Sequence, residues 1–158
     1  MSAFLIVIWL LLFLTVAFAW ASDGTPERIC AGAMLCLVIF DQVIRALISV
    51  DLFRSFQEYL MAMDLLLALI VVGVAILANR IWPLFAAGLL LIPVLADLVS
   101  IIVPYGMQVA YWALNQLPFY CSMVVVLIGS VCAGRRKKRG LSTPDWSPAI
   151  GWVRRVGN

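Results

Sequence analysis

The sequence predicts an all-α protein, an integral membrane helical bundle of five transmembrane helices. Three observations carry that prediction. Of the 158 residues, 65% are hydrophobic and 12% charged, with a mean hydropathy of +1.10, whereas a soluble domain carries about 25% charged residues. A chain this short cannot cover so much apolar side chain with so few polar groups, so lipid must act as its solvent. The apolar residues also fall into five runs, each close to the roughly 20 residues that cross about 30 Å of hydrocarbon. Most of the charges stand outside those runs, in the connections that hold turn-forming Pro, Gly and Asn or in the tail after the last run.

The first run, residues 3–21, is apolar except for Thr15. Ala17-Phe18-Ala19 and Ala19-Trp20-Ala21 fit a small-x-small cleavage pattern, but no Lys or Arg precedes the run to form a signal-peptide n-region. It reads as a retained helix. A polar loop, Ser22 to Arg28, follows, with Pro26 placed to open the next helix. The second span, 29–50, is apolar except for Asp41, Gln42, Arg45 and Ser49. From Asp51 to Tyr59 the chain is mixed, and Arg54 has Asp51 at i−3 and Glu58 at i+4. Such spacing supports a short exposed helix or a projection of the second one.

The third span, 60–78, holds a single charge, Asp64. Asn79 to Pro83 forms a tight connection, with Trp82 suited to an interface. The fourth span, 84–103, contains Pro93 and, four residues on, Asp97. The fifth, 109–133, carries Asn115 and Gln116 near its start and Pro118, which is expected to kink it. Gly32-x-x-x-Cys36 and Gly129-x-x-x-Ala133 are small-residue pairs that let helices approach closely.

The organisation is then a transmembrane bundle, 1–133, and a basic cytoplasmic tail, 134–158. The tail holds Arg135, Arg136, Lys137, Lys138, Arg139, Arg154 and Arg155 against Asp145 alone, a net +6 beside −3 for the rest. By the positive-inside rule the tail is cytoplasmic, so five spans place the N-terminus outside. The Arg28 and Arg80 loops then share the cytoplasmic side. Removing the first run would put the tail on the disfavoured side. Arg135 to Arg139, together with Trp146 and Trp152, are expected to meet anionic headgroups or a partner. Nucleic acid is not an expected partner.

With that orientation, 1.5 Å per residue places Asp41 about 18 Å from the cytoplasmic end, Arg45 about 24 Å, Asp64 about 21 Å and Asp97 about 20 Å. Asn115 and Gln116 come out near 26 Å by the same measure. Asp41, Arg45, Asp64, Asp97, Asn115 and Gln116 thus form one polar layer contributed by four helices. A charge at such depth costs about 2.5–3.5 kcal/mol on insertion scales, so these groups should face inward and pair. Arg45, four residues after Asp41, is their only base. Three acids to one base imply protonated carboxyls or entry of water.

Other chemistries recede. There is no histidine, and Cys30, Cys36, Cys121 and Cys132 show no metal-ligand spacing. The sequence therefore points away from an enzyme, and no cofactor or metal is expected. The expected function is that of a non-enzymatic membrane protein, an accessory or interaction subunit with a membrane protein or a second copy as partner. The first alternative is a small channel or a proton- or cation-coupled transporter using the intramembrane acids. A holin-like pore former is the second.

Asn79 to Gly140 resembles a loosely defined group of small bacterial multi-span inner-membrane proteins. The residues that carry the resemblance are Arg80-Ile81-Trp82-Pro83-Leu84-Phe85-Ala86-Ala87, Tyr111-Trp112, Pro118 and Gly134-Arg135-Arg136. It implies a bacterial inner-membrane location and brings no activity with it.

Overall fold

A computed structural model describes residues 2–22, 24–47, 53–102, 108–140 and 146. Among them five helices follow in order: α1 Ser2–Ala21, α2 Thr25–Leu47, α3 Phe53–Leu77, α4 Trp82–Ile102 and α5 Gln108–Lys138. The all-α prediction holds. Two stretches, Trp82–Val99 and Ala113–Lys138, are long and apolar enough to cross a membrane, each with a mean hydropathy of 2.0. The apolar stretches Ile6–Ala21 and Met61–Leu77 are shorter.

Each helix packs on its neighbour in sequence, and α5 also contacts both α1 and α2. Helices α2 to α5 therefore close into a four-membered ring, and α1 lies along the α2/α5 seam. Buried alanines sit at the crossings: Ala19, Ala31, Ala68, Ala75, Ala86, Ala87 and Ala133. Small side chains let backbones approach closely, and Leu12, Met34, Leu67, Val71, Met123 and Val126 fill the space between them. The buried hydroxyls are satisfied within their own helices. Thr15 donates to the Leu11 carbonyl at 2.8 Å, Ser122 to Phe119 at 2.7 Å and Ser130 to Val126 at 2.9 Å.

Several boundaries differ from expectation for local reasons. Helix α2 starts at Thr25, where the Gly24 carbonyl accepts the first N–H from Arg28 at 3.2 Å. The expected loop thus shrinks to Ser22–Gly24, with Pro26 and Glu27 in the first helical turn, where both are favoured. Arg28 reaches back to donate to the Trp20 carbonyl at 2.9 Å, capping the last turn of α1. Residues 53–59 belong to α3 rather than to a projection of α2. No Gly or Pro separates them from the apolar run, so nothing stops the helix there.

Helix α5 runs past Ala133 to Lys138, so four residues of the basic block are helical. Arg and Lys are good helix formers, and cations favour a helix C-terminus. The first residue able to end it is Gly140, whose φ of +71° is left-handed and whose N–H bonds the Lys137 carbonyl at 3.0 Å. Both α4 and α5 continue through their internal prolines, Pro93 and Pro118.

Candidate functional site

The ends of α1, α3 and α5 and the starts of α2 and α4 meet at one end of the bundle, so depths can be measured from it. At 1.5 Å per residue Asp64 lies about 20 Å in, Asp97 about 22 Å, Asp41 about 24 Å and, counted from Gly134, Asn115 about 28 Å. Asp97 is buried, at 4% exposure, and accepts a hydrogen bond from Asn115 Nδ2 at 3.3 Å across the α4/α5 interface. Asp64 on α3 is near enough to Asp97 and Asp41 to feel the charge of both. The structure joins Asp97 to Asn115 across α4 and α5, and Asp64 on α3 and Asp41 on α2 stand at similar distances along their helices from the shared end. Gln116 belongs to the layer by depth only. Its Oε1 accepts the Tyr120 hydroxyl at 2.8 Å, one turn along its own helix. The Arg45 side chain lies outside the described residues.

A second polar cluster, at the shared end, was not foreseen as one. Glu27 is fully buried and pairs with Arg80, itself 9% exposed, through Oε1. The Trp82 indole N–H donates to the same oxygen at 3.1 Å. Oε2 of Glu27 is buried without a hydrogen bond and presses on Gly24, where a Cβ would come within 2.1 Å of it. Trp82 packs closely on Gly129 of α5, where a Cβ would stand 2.8 Å from the ring. The Trp82 indole thus both hydrogen-bonds Glu27 and packs on Gly129, and Gly129 does serve close approach. One corner, residues 78–82, ties α3 and α4 to the start of α2 and the end of α5.

Comparisons with family models, curated proteins and solved structures gave no match. The chemistry of the site is read from this chain alone. Among the described residues, no three His, Cys, Asp or Glu side chains converge closely enough to hold a metal ion. The cysteines are free thiols, and they are not uniformly buried. Cys30 is buried, Cys121 intermediate, and Cys36 and Cys132 are exposed.

Arg135, Arg136, Lys137, Lys138 and Arg139 are all exposed, four of them within α5 and Arg139 in the turn that follows. Trp146 is half-buried, and its backbone forms an antiparallel bridge with Ala78, so the chain after α5 returns to the α3/α4 corner. Trp152 lies outside the described residues.

Proposed function

We propose that this chain is a non-enzymatic polytopic membrane protein, an accessory subunit that docks within a larger membrane assembly. One observation carries the membrane reading: the exterior is broadly apolar while several polar groups are buried. Phe13, Ile76, Ile81, Phe85, Leu95 and Leu117 are each more than half exposed, whereas Thr15, Glu27, Asp97, Ser122 and Ser130 are buried. In water such an apolar exterior would drive aggregation. In a bilayer it is the solvated face, and the buried polar groups are the costly ones that must be paired. We assign the location to the bacterial inner membrane, with the N-terminus outside and the shared helix end in the cytoplasm.

In this reading the Asp97–Asn115 bond is a clamp that fixes α4 against α5. The accessory role is tested by purifying the chain from its native membrane in mild detergent. A stoichiometric membrane partner is expected, and a chain that elutes alone as a monomer contradicts the role.

A second reading, proton- or cation-coupled conduction, is favoured by the proximity of Asp64 to Asp97 and Asp41. It predicts a pH- or cation-dependent flux in liposomes that Asp97→Asn abolishes without loss of fold. Absence of flux from the reconstituted wild-type chain removes it.

A further inference from the structure

We propose that the last turn of α5 is a binding collar for the phosphate-bearing headgroups of anionic phospholipids in the leaflet at the shared helix end. The inference rests on the membrane reading above and names the partner chemistry of one of its surfaces. Arg135 to Lys138 lie within α5, and with Arg139 they are consecutive and exposed. Each helical residue advances about 100° around the axis, so the five side chains encircle the helix. A protein groove would read one face of a helix, whereas a headgroup layer surrounds it. The five positions rise only about 6 Å along the axis. One leaflet's headgroup region is about 5–8 Å thick, so the whole collar fits within it.

The position of the collar agrees. The stretch of α5 that ends at Gly134 runs back without a charge at least to Asn115. Indoles mark the same end. Trp20 is exposed at the end of α1, Trp82 opens α4, and Trp146 is returned to Ala78 by the backbone bridge. Gly140, with its positive φ, ends the helix just past the collar.

The helix terminus itself does not attract anions, because its C-terminal dipole carries about half a negative charge. Five cationic side chains outweigh it. Arg can take a phosphate with two parallel N–H bonds, and Lys adds point charge.

The test uses the full chain reconstituted in vesicles of phosphatidylglycerol and phosphatidylcholine, extracted in mild detergent, with retained lipid identified by mass spectrometry. Phosphatidylglycerol is expected to be enriched several-fold over the bilayer ratio at low salt. The enrichment should fall towards that ratio as successive side chains are neutralised. The variant R135Q/R136Q/K137Q/K138Q/R139Q should show none, and one with Lys at all five positions should retain it. Enrichment unchanged in the five-Gln variant overturns the collar. So does an acidic soluble protein bound at these residues with no lipid preference. A chain that resists alkaline carbonate extraction yet retains the two lipids at the bilayer ratio refutes the collar alone. A chain removed from vesicles by carbonate refutes the membrane reading and the collar with it.

Discussion

Breaking the Glu27–Arg80 pair should be the most damaging single polar change in the molecule. Glu27 is fully buried, Arg80 is 9% exposed, and Trp82 donates to the same carboxylate oxygen. A close opposite pair at an effective dielectric near 20 gains about 4 kcal/mol, and desolvation of the two ions offsets much of this. Removing one partner is another matter, because the remaining charge stays buried without compensation. Glu27→Ala should therefore cost about 3–5 kcal/mol, to which the Trp82 N–H left without its acceptor contributes about 1–3 kcal/mol. Arg80→Ala should cost a similar amount. The double variant should cost less than the two singles together, with a coupling of at least about 2 kcal/mol. The assay is reversible unfolding in mixed micelles, followed by tryptophan fluorescence, on the wild type, both singles and the double. Single costs that add to within about 0.5 kcal/mol would refute the pair as a structural tie.

Three further outcomes are expected. Gly129→Leu forces a side chain into the Trp82 ring, which already stands within 2.8 Å of a Cβ built there. It should cost about 1–3 kcal/mol and shift Trp emission, and an unchanged spectrum and midpoint would show that the contact is loose. Asp97→Ala leaves Asn115 without its cross-helix acceptor and should cost about 0.6 kcal/mol, up to about 1.7. A coupling of zero between Asp97→Ala and Asn115→Ala would deny the clamp. Gly140→Ala places a Cβ at a φ of +71° and should cost about 1–2 kcal/mol locally. Amide exchange at residues 136–139 should then quicken, and unchanged exchange would mean that the helix end does not depend on Gly140.

The helices were legible in the sequence because an apolar run long enough to span hydrocarbon is a strong local signal, and the depth of Asp41, Asp64, Asp97 and Asn115 followed from counting residues. The contact of Asp97 with Asn115 then needed only a bundle. The corner was not legible, because Glu27 and Arg80 lie 53 residues apart and charges beside Pro26 and Pro83 look like ordinary loop residues. The available signal was complementary charge in two loops placed on the same side, with Trp82 adjacent. The contact of Trp82 with Gly129 could not be read, because an indole at a helix end suits an interface as well as it suits a glycine across the way. The extension of α5 was missed because charge was taken as the end of the span. Charge ends the apolar run, whereas Gly140 ends the helix.

The central claim is that lipid solvates the exposed apolar faces. Nitroxide labels at Phe13, Ile76, Leu95 and Leu117, read by electron paramagnetic resonance in vesicles, test it most directly. Every label should collide freely with oxygen and be shielded from a water-soluble nickel chelate. Labels open to the chelate at all four positions would contradict the claim.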